Sequence, residues 1–389
     1  MKHHTKVRII LYFLLLLNPY FKNNEIISLI IKNLSNNTKK SIEVRPFYEL
    51  FNTAIKKKTI LIFEPNKYHH ECTPGYSKYF IDLGYNVDIL MHISGINSMI
   101  LFDEIENIRL FTFRNKNQII KYYKNFTFII KNYYDYILLQ STDKSKKKLY
   151  TKLNLLNINN SIFVFHEISF ADINYSKYFA LNRIWTLGNM SKGIQVNPHY
   201  FGNIKIKEKN KKTRFFITST AHRNYKNLIK SLKKLKKENY NFDLIVTGRS
   251  KRFGSEKIPK IIEKNIIFKC KVSYIELYKD IESSDYIIIP LNPKSENDIQ
   301  YKTTKVTGSI QLVYGFLKPA IINENFSEFY QLNDKNSLIY NDYNLYEIMK
   351  KSILLNKNDY KAFQRNLQII AKEIYKKSIL KIQKVISKL

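Results

Sequence analysis

The sequence contains only two cysteines, Cys72 and Cys270, in 389 residues. They stand too far apart for zinc-ligand spacing and are too few for a disulfide framework, which fits a reducing compartment. Acidic residues are scarce as well, 32 Asp and Glu against 65 Lys and Arg, giving a formal net charge of +33. The N-terminal apolar run Val7 to Leu17, VRIILYFLLLL, is about half the ~20 residues that a bilayer span needs. It follows basic residues, as a signal peptide would, but Asn18-Pro19-Tyr20 is no small-residue cleavage site. It reads as a helix that packs on the body or lies on a membrane, with a cleaved signal as the alternative. A Gly-rich dinucleotide fingerprint and a Walker loop are both missing, which argues against dehydrogenases and nucleotidases.

What is present points to a folded chain. Hydrophobic residues make up 44% of the sequence, and its length suits two or three domains. The basic surplus fits nucleic acid, an anionic membrane surface or an anionic substrate. It also fits plain compositional bias, because Lys, Asn, Ile and Tyr recur throughout, as AT-rich coding would produce. The lysines are scattered, with no arginine-rich arm, so nucleic acid is the weakest of these readings.

Residues 1 to 57 read as a helical N-terminal extension, broken at Asn18-Pro19 and turning near Pro46. From residue 58 to 204, short apolar runs alternate with helical stretches. Strands are expected at Thr59 to Phe63, Val87 to Leu90, Leu110 to Phe113, Tyr136 to Leu139 and Ile162 to Phe165. Helices are expected at Tyr76 to Leu83, Gln118 to Lys131 and Lys146 to Leu156. That alternation predicts a doubly wound α/β domain with a parallel sheet. Residues 166 to 200 are less regular, and Lys205 to Thr213, KIKEKNKKT, reads as an interdomain linker. The alternation restarts over 213 to 357, and 358 to 389 forms a helix that could pack back on the first domain.

Two stretches of the second half carry the chemistry. Phe215-Phe216-Ile217 leads into TSTAHRNYKN, residues 218 to 227, at a helix start. Arg223 and Lys226 are three residues apart there, beyond the carboxyl end of a strand, where open α/β sheets bind ligands. A planar guanidinium and a point-charge ammonium suit a diphosphate. The second stretch is Tyr301 to Asn323, YKTTKVTGSIQLVYGFLKPAIIN. Lys305, Thr307, Gly308 and Ser309 form a basic, hydroxyl-rich loop at a helix start, whose free N–H groups favour an anion.

The combination resembles the group-one, retaining branch of the GT-B glycosyltransferases. In that family the second Rossmann-like domain opens strand, "G-x-x-R-x-Y-K-N", helix, and this chain has AHRNYKN. The later family block is matched by IIIPLNP, KTTKVTGSIQLVYGF and LKPAII. The resemblance implies two Rossmann-like domains facing across a cleft, with Arg223, Lys226, Lys305, Thr307, Gly308 and Ser309 holding a nucleotide-sugar donor. It implies a hexosyl transfer to a surface-glycan or lipid-linked acceptor, with no metal and no further cofactor. The cysteine usage fits a cytoplasmic location, and the basic surplus with the Val7 to Leu17 run fits one peripheral on the inner face of the membrane. His70 and Glu71, in the loop after the first strand, and His166, after the strand Ile162 to Phe165, are the catalytic candidates. Two glutamates common in the later block are replaced here by Thr304 and Leu312. Their loss keeps open a second reading, a degenerate scaffold or binding subunit. A basic nucleic-acid-binding protein is the third.

Overall fold

Every side chain of strand β2, Thr59–Glu64, is buried, as a central parallel strand covered on both faces requires. It pairs in parallel with β3 (Asn86–His92) on one side and β5 (Tyr136–Thr142) on the other. The computed structural model describes residues 42–387 except 172–174, 220–222, 224, 249–252, 254 and 255. Among these residues the first sheet has eight strands in the order β1-β4-β3-β2-β5-β6-β7-β8. The added members are β1 (Val44–Pro46), β4 (Ile108–Phe113), β6 (Ser161–Phe165), β7 (Ile184–Thr186) and β8 (Ile194–Gln195). All are parallel to their neighbours, so helical crossovers are needed between them. These include α1 (Thr73–Asp82), α2 (Lys116–Lys121), α3 (Tyr123–Tyr133) and α4 (Lys144–Lys152).

The second sheet has six parallel strands in the order β11-β10-β9-β12-β13-β14. Its centre is β9 (Thr213–Ser219), beside β10 (Phe242–Gly248) and β12 (Tyr286–Ile289). The outer members are β11 (Ile266–Cys270), β13 (Ala320–Asn323) and β14 (Leu338–Tyr340). Helices α5 (Lys226–Lys237), α6 (Tyr274–Ser283), α7 (Ser309–Gly315) and α8 (Leu345–Leu354) accompany them. The chain is therefore α/β with two Rossmann-like domains, as expected.

Several elements depart from the sequence reading. The helix expected over 118–131 is two helices that meet at Tyr122–Tyr123. Most of the expected N-terminal helical extension, residues 1–41, lies outside the described residues. Within 42–57, Val44–Pro46 is an edge strand on β4, not helix, and Phe47–Phe51 is one short 3-10 turn. The stretch 205–213 does join the two sheets, but it is strapped to the second one. Lys209 is buried, and its Nζ donates to the Ile353 carbonyl at 2.5 Å. Asn210 N–H donates to Asp285 at 2.9 Å.

The final helix, α9 (Lys357–Ile386), has 30 residues. It leaves the second domain and returns to the first. Asn197 N–H donates to Ser378 Oγ at 3.3 Å, and Tyr136 donates to the Ile386 carbonyl at 3.2 Å. Tyr375 stacks on Tyr79 with ring centres 4.6 Å apart. The core of the first domain runs without a break into Val306, Ile310 and Phe316 of the second. Gly315 packs directly on Phe201 and the His199 carbonyl.

Candidate functional site

The carboxyl ends of β2, β5 and β6 converge on one crevice. Glu64 closes the apolar run of β2 and is fully buried. Its carboxyl accepts from Asn66 N–H at 2.7 Å, Gln140 at 3.2 Å and the Ser141 hydroxyl. Burial outweighs these hydrogen bonds and pushes its pKa up to about 7.

In the loop after β2, His69 sits in the left-handed region at φ 71°, which disfavours a residue with a Cβ. That backbone turns its ring onto His166, with centroids 4.3 Å apart, while Nδ1 lies 3.4 Å from Glu71 Oε1. The other Glu71 oxygen accepts from Tyr274 of the second domain at 2.9 Å. Burial acts to raise the Glu71 pKa, but the His69 hydrogen bond and charge prevail and hold it at about 2. His69 moves the other way. Burial opposes its charge, yet Glu71 keeps the imidazolium favoured above the ordinary range. Burial, reinforced by the His69 charge, pushes His166 down to about 3, and its buried Nε2 has no hydrogen-bond partner.

The facing wall comes from the second domain. Arg223 follows β9 and is 9% exposed, with a buried Nη1 that has no partner. Its guanidinium carbon lies 5.5 Å from the centre of the Tyr301 ring. Thr218 at the end of β9 hydrogen-bonds Ser309 at 3.0 Å, which holds the start of α7 against the strand. Thr307 and Ser309 are buried, and Gly308 is exposed at φ −59°. A Cβ added to Gly308 would meet nothing within 4 Å. This glycine is therefore not needed for its turn, and the space above it is open.

The loop before α7 docks on the first domain. Lys305 pairs with Glu167 at 3.1 Å, and Ile168 N–H donates to the Thr304 carbonyl at 2.9 Å. Between the two walls lies a cavity of about 350 Å³, lined by His69, His166, Glu167, Tyr301, Lys305 and Val306. Tyr301 lines this cavity and also carries the Arg223 guanidinium against its ring.

Most expected residues gather around this junction, but not all do. His166 and Lys305 line the cavity, and Glu71 lies beneath His69. His70 does not face the crevice. Its ring is fully buried against Gly95, where an added Cβ would come within 2.4 Å of it, and burial pushes its pKa down to about 4. The physical reason is local. His70 opens a 3-10 turn, so it and His69 project to different sides, and His69 takes the cavity position. Arg223 is enclosed, whereas Lys226 is the exposed first residue of α5. Leu312, one of the two positions where the resembled family carries a glutamate, is buried in the core. Glu64 and Tyr274 were not singled out from sequence, and His69 and Tyr301 entered that reading only as members of the stretches His69-His70-Glu71 and Tyr301 to Asn323. Only Glu64 left a signal there, as the lone charge ending the apolar run of β2. Among the described residues no His, Cys, Asp and Glu cluster could hold a metal ion, and no helix is long and apolar enough to cross a membrane.

No family model matches the chain, and no curated protein matches its sequence. Solved structures do match its fold. A glycosyltransferase from Rickettsia africae superposes with a TM-score of 0.51 at 13% identity, over 86% of this chain and 98% of that one. TarM superposes with a TM-score of 0.50 at 12% identity, over 85% of this chain and 99% of that one. An S. aureus TarM variant, solved with fondaparinux, α-GlcNAc-glycerol and UDP, gives 0.51 at 11% identity over 85% and 99%. The chain has the two facing Rossmann-like domains of the GT-B fold.

Proposed function

We propose that the protein is a glycosyltransferase that moves a hexose from a nucleotide-sugar donor to a surface-glycan or lipid-linked acceptor. The observation that carries this reading is Arg223, a nearly enclosed guanidinium with an unpartnered nitrogen beyond the carboxyl end of β9. A buried charge without a partner is costly, and a donor diphosphate would supply the missing acceptor oxygens. Gly308 leaves open space beside the hydroxyls of Thr307 and Ser309, where the same diphosphate could approach, with Lys226 at the rim. Neutralising the departing diphosphate is the main electrostatic demand of such a reaction.

On the opposite wall the Glu71-backed His69 stays protonated to higher pH than a free histidine and assists the leaving phosphate. His166, held neutral beside it, faces the sugar. Retention of anomeric configuration follows from the resemblance of AHRNYKN and the later block to the group-one branch. The protein works in the cytoplasm at the inner face of the membrane, where a lipid-linked acceptor is presented. One observation favours a second reading, a donor-binding subunit without turnover: Leu312 lies in the core where a ribose-binding glutamate is usual.

The test pairs binding with turnover. Calorimetry against a panel of nucleoside diphosphates should find one that binds, and Arg223→Ala should weaken it by about 1.5–3 kcal/mol, the range for a charge-assisted contact, without lowering the melting temperature. Unchanged affinity in the folded variant would remove the diphosphate assignment. Release of that nucleotide from its sugar conjugate, with the product anomer assigned by NMR, separates catalysis from binding alone.

A further inference from the structure

A second concavity lies on the first domain, away from the crevice. It occupies about 850 Å³ between residues 50–55 and helix α3. Its rim is aromatic. Phe128 and Tyr133 are 58% and 56% exposed, with ring centres 6.1 Å apart. Tyr122 packs on Phe51, which lines the groove, at 5.7 Å. Phe128, Tyr133 and Tyr122 thus bring three of the fifteen large apolar side chains exposed among the described residues to this groove. A contiguous exposed patch of this kind marks a surface that meets something other than water.

The charge of the same face narrows the partner. No acidic residue occurs from Asn107 to Tyr134, a stretch that holds α2 and α3 and includes Lys121, Lys124 and Lys131. The Lys121 ammonium lies 5.8 Å from the Tyr122 ring centre. Lys56, Lys57 and Lys58, on the segment that leaves the groove, are all exposed. Tyrosine and phenylalanine beside lysine match a bilayer interface. The rings sit at headgroup depth, and the long lysine stems let their ammonium groups reach phosphate. The described chain also begins here. β1 and Phe47–Phe51 are its first elements.

We propose that the aromatic and basic face formed by residues 47–58 and helices α2 and α3 docks on an anionic lipid bilayer. The complementarity is explicit: a face whose helices α2 and α3 carry lysines and no carboxylate, with Glu49 the one acidic residue of 47–58, meets phosphate headgroups, and its rings enter the interfacial layer. Docking does not rest on the sugar-transfer reading, and either can fail without the other.

The experiment is sedimentation of the full chain with vesicles of phosphatidylcholine, with and without phosphatidylglycerol. The protein should bind the anionic vesicles, and binding should fade as salt rises. Lys121→Gln, Lys124→Gln and Lys131→Gln together should lower it by on the order of 100-fold, since each lysine near such a surface contributes roughly fivefold. Phe128→Ser with Tyr133→Ser should lower it by about tenfold, while Leu354→Ser, an exposed apolar residue of the second domain, should leave it unchanged. Equal binding to neutral vesicles, or no effect of either set of substitutions, would overturn the proposal. So would unchanged vesicle binding with a lower melting temperature in Phe128→Ser/Tyr133→Ser, because the groove would then be covered by residues 1–41. Single-stranded nucleic acid that displaces the protein from vesicles through the same lysines, with no effect of Phe128→Ser/Tyr133→Ser, would assign the face to nucleic acid instead.

Discussion

Glu64 is the residue on which the first half of the site turns. It ends the central strand, is fully enclosed, and carries a pKa of about 7 against 4.5 for a free carboxyl. Its neutral form is the one the fold prefers. Below pH 4.5 both folded and unfolded chains hold the proton, and the group favours neither. As pH rises toward 7 the unfolded chain loses its proton first, so stability falls. Above 7 the loss levels off at about 3 kcal/mol. Glu64→Gln removes this dependence. The stability difference between variant and wild type should therefore move toward the variant as pH rises from 4.5 to 7.5 in denaturant titrations. A difference that stays flat across that range would show the carboxylate to be ionised in place. His69 teaches the complementary lesson about what a sequence hides. His69-His70-Glu71 was legible as a site, but which imidazole faces the cavity depends on a left-handed backbone at His69. It depends also on Tyr274, 203 positions away, gripping Glu71. Neither leaves a local mark.

At the scale of elements, α7 separates two glycines with opposite demands. Gly308, at its start, has open space where a side chain would go. Gly315, at its end, would place a Cβ 2.3 Å from the Phe201 ring and 2.5 Å from the His199 carbonyl. Gly308→Val should lower stability by less than about 1 kcal/mol and abolish most sugar transfer, because the branched side chain fills the space assigned to donor phosphate. Gly315→Ala should cost about 1–3 kcal/mol by overpacking. Melting curves and turnover measured on both variants check this. If Gly308→Val keeps full activity, the phosphate does not approach there. Elements of this length and pattern were legible. β2 was visible as TILIF, and the strand-to-helix join at AHRNYKN located Arg223. What escaped were β1, β7 and β8, of three, three and two residues, too short to show an alternation. Their pairing comes from the sheet edges that receive them.

The whole molecule is tied by α9, about 45 Å of helix that begins against the second domain and ends under the first. Ile382 is fully buried in the first-domain core. Ile382→Ala should therefore cost about 2–5 kcal/mol, and hydrogen exchange should show β5 losing protection together with α9. Loss confined to residues 357–386 would make the helix a separable tail. The two-domain division was legible from the restart of the strand-helix alternation near 213. That 358 to 389 could pack back on the first domain was part of the sequence reading. The continuity of the two cores through Val306, Ile310 and Phe316 was not, because contacts between residues so far apart have no signature in either stretch. The path of α9 also sets a timetable for synthesis. The second domain can close once the first turns of α9, which seat Tyr360 in its core, have left the ribosome. The first, although translated earlier, lacks part of its core until Ile382 emerges. The domain made first is thus completed last, and a nascent chain whose emerged part ends near residue 366 should carry a protease-resistant second half beside a cleavable first half.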